Sequence, residues 1–399
     1  MGLFLPSLLV TLAVQIQASL VVFTPPVLAP IAQTDVGISA ASVGIVTALI
    51  YLSSVPSALT AGLWINRFGP IRVSQLCVLF ASTGIVMISS GVPSVIALGA
   101  LIVGVGYGAV TPASSTVLAD RVPDNMRSLI FSVKQSGVPI GGAIAGALVP
   151  LLMQLFGWNL AAICVGLLGI GVIIFAQIIR NKIDHVALSL SINMERLSLV
   201  EPLRFIFSHA RLRELAISSF AFSGMQMSLG SYLVVMLTER AMLTISVAGS
   251  ALSIAMIAGI VGRLLWGVLA DHGIAARSVL GFLGLLMGLS GFFVMLINDT
   301  TSMTLIYIFS FLFGASAIGW NGVYLAEVAR ISPPGKAGIA TGASLAMTYS
   351  GVVVLPSAFW VIHSYTESYA SGFIILGGIA LWRGIAFFSK DSPSKKNSD

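Results

Sequence analysis

Charge is what this sequence has least of. Only 9% of its 399 residues are Asp, Glu, Lys or Arg, against 57% hydrophobic residues. A soluble domain carries about 25% charged residues, because something polar must face water. The shortage excludes an ordinary soluble enzyme, a disordered chain and a nucleic-acid-binding protein. A mean hydropathy of +1.01 agrees. Lipid is the solvent for most of this chain. Cysteine is almost absent too. Cys77 and Cys164 both lie in apolar runs and are too few for a disulfide framework. The histidines (His185, His209, His272 and His363) sit in or beside loops without metal-ligand spacing. Gly335-Lys336 lacks the upstream Gly and following Ser/Thr of a phosphate-binding loop, so an ATP-driven pump is not supported. No Ser/His/Asp constellation can be assembled. No enzyme activity, metal or cofactor is expected.

What is present is apolar length. Runs fall at 6–30, 40–64, 72–90, 94–118, 129–155, 159–180, 213–238, 245–270, 278–297, 303–326, 338–362 and 370–388. Each approaches the roughly 20 residues that a spanning helix needs. Their continuity excludes a transmembrane β-barrel, whose strands alternate polar and apolar. The expectation is an all-α membrane protein with twelve transmembrane helices. The first run has no Lys or Arg before it and reaches a full span, so it reads as a retained helix and not a cleaved signal. One break, 181–212, has soluble-protein composition. It divides the chain into six-helix bundles at 1–180 and 213–388, with a tail at 389–399.

Basic residues set the orientation. Placing the N-terminus in the cytoplasm puts sixteen of the 20 Lys and Arg residues in cytoplasmic breaks and only Arg240 in an outer one. That bias places both termini in the cytoplasm. It also explains the net charge of +6 without a nucleic-acid partner. The halves repeat. Gly62-Leu63-Trp64-Ile65-Asn66-Arg67 precedes the third helix, and Gly267-Val268-Leu269-Ala270-Asp271-His272 precedes the ninth. Leu118-Ala119-Asp120 and Leu325-Ala326-Glu327 close the fourth and tenth. Duplicated halves are how many secondary transporters are built, with the substrate site between them.

On these features the chain resembles the major facilitator superfamily along nearly its whole length. The family's loop between helices 2 and 3 reads Gly-x-Leu-Ala-Asp-Arg-x-Gly-Arg-Arg/Lys. Gly62, Leu63, Arg67, Gly69 and Arg72 match it, while Asn66 replaces the acid. The second copy keeps Gly267, Ala270, Asp271 and Gly273. The resemblance implies a role in holding the cytoplasmic gate closed, through an acid that faces a helix terminus and arginines. Asn66 puts an ionic lock in the first half in doubt. A tight charged hairpin that only sets topology is the plainer reading. Helix 5 carries Gly137, Pro139, Gly141, Gly142 and Gly146, like the family's glycine-proline motif. Small residues let helices approach closely, and proline removes a helical hydrogen bond. Packing is the plainer reading and a hinge the sharper one. Lys134–Pro139 and Gly319–Tyr324 also resemble segments of bacterial permeases near the cyanate and nitroimidazole group.

Ionisable residues inside helices are costly, so they are paired, snorkelling or functional. No Asp or Glu falls at a helix centre. This argues against the carboxylate-based proton carriers of sugar symporters and multidrug exporters. Lys134 in helix 5 and Arg263 in helix 8 lie within apolar runs with no neutralising acid nearby in sequence. In the resembled fold these helices face each other, so both cations are expected at one anion-binding cavity. The alternative is that both snorkel to the surface, or that Arg263 caps the loop at Asp271. Arg383 is expected to snorkel. Further candidates are Gln15, Tyr107, Gln226, Trp320 and Asn321, on helices that line the cavity in the resembled fold. Gln17 is about 200° from Gln15 around the helix, so only one of the two can face the cavity squarely. Tyr51 and Tyr349 are weaker choices. The expected function is secondary transport of a small organic anion by alternating access, with a coupling proton possible. The expected setting is the bacterial cytoplasmic membrane, as a monomer in lipid. The rival is proton-driven efflux of drugs or metabolites.

Overall fold

The computed structural model describes residues 4–37, 43–119, 121–189 and 199–388. Asp120, the centre of the linker (190–198) and the tail (389–399) lie outside the described residues. With them go Arg196, Lys390, Lys395 and Lys396, which entered the orientation argument.

Among the described residues the chain is helical, without strands. The first half contains α1 (Phe4–Val36), α2 (Val43–Phe68), α3 (Pro70–Ile88), α4 (Pro93–Ala119), α5 (Arg127–Gln135) and α6 (Gly137–Ser189). After α7 (Val200–Ser208), the second half contains α8 (Ala210–Arg240), α9 (Ile245–Asp271), α10 (Ala276–Phe293), α11 (Met303–Ala317), α12 (Asn321–Ile331), α13 (Ala337–Thr366) and α14 (Tyr369–Ala386). Eleven stretches are long and apolar enough to cross a membrane. The longest, Asp124–Asn181, has 58 residues, roughly 90 Å of helix. That is far too long for one pass. Gly157 breaks it with φ 81°, a left-handed conformation that glycine adopts without steric cost. The stretch therefore holds two passes, which makes twelve among the described residues.

Three sequence expectations change. The run at 129–155 is divided at Ser136 between α5 and α6. The run at 303–326 is divided at 318–320 between α11 and α12. The 181–212 stretch contains helix on both sides, because α6 continues to Ser189 and α7 follows.

Each half packs on itself. In the first, α1 and α3 lie against α6, and α2 and α3 against α4. In the second, α8 packs on α13, α9 on α11 and α10 on α14. Small residues bring backbones together at the tightest crossings, with Gly84 against Gly99 and Gly284 against Gly384. The outer surface carries large apolar side chains, including Leu155, Ile174, Ile178, Leu289 and Trp360. An apolar surface that extensive suits lipid and not water.

The halves join through α2 and α4 against α13, and through α5 against α9 and α12. A Cβ on Gly62 would strike Ile339, and one on Gly267 would strike Leu129 and Ser132. These contacts gather where Arg67, Arg72, Arg127, Arg277 and Arg330 also lie, at the arginine-rich end.

Candidate functional site

A cavity of about 260 Å³ lies between the halves. It begins at Arg263 and extends past Phe23 and Pro26 of α1 and Thr47 of α2, away from the arginine-rich end. Five of the seven expected substrate residues line it: Gln15, Tyr107, Gln226, Arg263 and Asn321. Lys134 and Trp320 do not, and stand buried in the wall behind. No carboxylate lines the cavity among the described residues.

Arg263 projects from α9 and is only 1% exposed. It does not snorkel and does not reach Asp271. Its Nε donates to Ile318 O at 3.0 Å, and its Nη1 donates to Gln135 O at 2.5 Å. Both carbonyls come from helix interruptions. Gln135 O would ordinarily accept from the residue four places on, which is Pro139 and has no N–H. The helix 5 motif thus frees a carbonyl, and an arginine from the opposite half takes it. Nη2 makes no protein bond among the described residues, so the guanidinium keeps donors for a ligand.

Lys134 closes the last turn of α5, also 1% exposed. Its Nζ donates to Gln15 Oε1 (2.7 Å), Gln135 Oε1 (2.8 Å) and Thr111 Oγ1 (3.1 Å). The Thr111 hydroxyl in turn donates to Gln15 Oε1 at 3.2 Å. Across the cavity, Trp320 Nε1 and Asn321 Nδ2 both donate to Gln226 Oε1, at 3.1 and 3.2 Å. Tyr51, Tyr107 and Tyr349 form a cluster between these groups, with ring centroids 5.9–6.1 Å apart. Gln17 turns the other way and donates to Val165 O within the first half.

The motif residues occupy the packing surfaces. Gly137 and Gly141 press α6 against α1, near Gln15 and the Ile16 carbonyl. Gly69 has φ 87° and leaves room for Asp184, whose carboxylate accepts from Ile71 N (2.9 Å) and Arg72 N (3.1 Å). The side chain of Arg72 donates to Gln75, and that of Arg67 lies over Phe68. Asn66 lies one residue before Arg67 on α2. Asp271, the last residue of α9, accepts from Ser128 N (3.0 Å) and Leu129 N (2.8 Å) at the start of α5. Its partners are backbone N–H groups of the other half, and not arginines. Arg383 departs from the expected snorkelling: it is 7% exposed and donates to Ser218 Oγ and Glu214 O.

Sequence reasoning missed Gln135 and Thr111. Their signals were present but slight. Gln135 adjoins Lys134, and Thr111 lies one helical turn beyond Tyr107. Tyr51 and Tyr349, ranked low, both line the cavity.

A twelve-pass helical protein with a central cavity between two bundles is a membrane transporter in class. The family model described as Major Facilitator Superfamily matches residues 8–356, and the chain belongs to that superfamily. It is a transporter and not an enzyme. It is 20% identical to a hexuronate transporter of Bacillus subtilis, over 90% of this chain and 87% of that protein. It is 24% identical to a gentisate transporter of Corynebacterium glutamicum, over 88% and 79%. The crystal structure of a bacterial homologue of the iron transporter ferroportin shares the fold. Its TM-score is 0.76 at 17% identity, covering 97% of this chain and 98% of that one.

Proposed function

We propose that the protein carries a small organic anion across the bacterial cytoplasmic membrane by alternating access. It acts as a monomer with both termini in the cytoplasm. The observation that carries this reading is Arg263, a guanidinium with unspent donors in a cavity without a lining carboxylate. An anion entering there supplies the missing charge. The two relatives reported above are named for carboxylic acids, which supports the reading. The excess of arginine at the packed end of the halves supports a cytoplasmic location for it. The cavity then opens outward. Moving an anion inward opposes a negative-inside membrane potential. A proton travelling with the substrate offsets that charge.

The test is uptake of labelled carboxylates into proteoliposomes under an imposed pH gradient. Arg263→Ala is expected to raise KM by about ten- to a hundredfold, the range for losing a charged hydrogen bond. Normal carboxylate uptake by that variant would overturn the reading. Protection against cationic dyes in whole cells, without carboxylate uptake, would favour the efflux alternative.

A further inference from the structure

Lys134 is the sharpest anomaly in the molecule. It is a buried cation within the first half, beside a cavity that it does not line. An ammonium has three N–H donors and no acceptor. Here three oxygens receive them: Gln15 Oε1, Gln135 Oε1 and Thr111 Oγ1. Every donor is spent, so none is left for a substrate in this state.

The consequence falls on the amides. A glutamine end is symmetric in shape and asymmetric in chemistry, with one side accepting and the other donating. Lysine only donates, so the oxygens of Gln15 and Gln135 must face it. Their NH2 groups must face away. Gln15 Nε2 makes one long contact, 3.3 Å to Ser19 Oγ. Gln135 Nε2 donates to no protein oxygen among the described residues. The opposite wall repeats the logic without a charge. An indole N–H also only donates, so Trp320 fixes Gln226 with its oxygen inward. Gln226 Nε2 likewise has no protein acceptor among the described residues. All three glutamines line the cavity.

We propose that Lys134 is a positioning residue that sets the polarity of the cavity. It orients Gln15 and Gln135 so that amide nitrogens, with Arg263, meet a carboxylate on one wall. Gln226 presents a third amide nitrogen to a second acceptor oxygen on the other. The tyrosine cluster lies between them. The substrate class is therefore a carboxylate with an acceptor oxygen remote from the acid, such as a hydroxy acid. This rests on the anion reading above and deepens it.

The test compares acids with their primary amides: gentisate with gentisamide, and glucuronate with glucuronamide. Binding is measured on purified full-length protein, with thermal unfolding in detergent to confirm folding. Wild type should prefer each acid that it binds by at least about tenfold, a difference of about 1.4 kcal/mol. In Lys134→Met the glutamines are free to rotate. Acid affinity should fall about tenfold or more, while amide affinity rises severalfold, because a turned carbonyl can accept from the amide ligand. Adding Gln15→Leu should remove most of that gain.

Each rival role leaves another pattern. A direct ligand would cost acid binding without improving amide binding. A purely structural lysine would weaken both ligands together. Either pattern, or no change, overturns the proposal while leaving the anion reading intact. Lys134→Arg keeps a donor-only cation, so it should hold the glutamine oxygens inward and retain most of the acid preference; a folded Lys134→Arg protein that behaves like Lys134→Met would count against the proposal. If wild type binds neither acid, the substrate assignment fails and this inference falls with it.

Discussion

The repeated loop motif closes the arginine-rich end twice, by different physics. In the second half, α9 ends in Asp271, whose carboxylate caps the first turn of α5 through two backbone N–H groups. Charge meets the positive end of a helix dipole across the join between halves. In the first half, the matching residue is the neutral Asn66. There α2 meets α13 by close packing, Gly62 against Ile339 and Gly342 against the Ala58 carbonyl. At the start of α13, the side chain of Lys336 makes no capping bond and lies over Phe205 instead. One contact resists separation through hydrogen bonds and charge. The other brings α2 and α13 into close contact through small residues. A duplicated motif can therefore diverge in chemistry while both copies still close the same end.

Four substitutions test that contrast, in falling order of effect. Gly62→Val should disrupt most, because its side chain must displace Ile339 at a packed crossing. Overpacking costs about 1–3 kcal/mol, shifting the balance toward the state open at the arginine-rich end by roughly ten- to a hundredfold. Maleimide labelling of a cysteine introduced beside Arg330, with Cys77 and Cys164 replaced by Ser, would read the shift. Asp271→Ala should cost about 1 kcal/mol, as for a lost helix cap. The same labelling should rise about fivefold. If Asp271→Ala exceeds Gly62→Val, shape is not the stronger contact.

Asn66→Asp supplies the acid found in the family pattern. It should stabilise the closed end by about 0.3–1 kcal/mol and slow labelling by up to about fivefold. Unchanged labelling would mean that position 66 does not sense the α13 terminus. Asp124→Ala removes an ion pair to Arg127 whose acid is 85% exposed. It should alter closure by no more than about 0.5 kcal/mol, and a larger change would place Asp124 in the gate.

The same contrast shows what sequence could and could not reveal. The twelve passes were legible because each pass needs a long apolar run, and Gly157 fell in the expected gap between two of them. The interruptions at Ser136 and at 318–320 were hidden, because long apolar stretches lie on both sides of each and make one run of spanning length. Arg263 and Lys134 stood out as charges in apolar runs. Their partners did not. The shell around Lys134 comes from α1, α4 and α5, and the Gln135 carbonyl is free only because Pro139 follows it. That Gln15 and not Gln17 faces the cavity follows from which side of α1 packs on α6. Side-chain spacing alone left both open.

The location of Arg263 and Lys134 also bears on leakage. Arg263 lines the cavity between the halves, and Lys134 is buried behind the same wall. Low-dielectric walls intensify the potential that they create. A hydronium or metal ion drifting in would climb an electrostatic barrier beside Arg263, as cations do before an arginine in a selective pore. On the anion reading proposed above, Arg263 serves twice: the charge that would draw in an anion also repels cations, so that an idle carrier does not short-circuit the ion gradients around it.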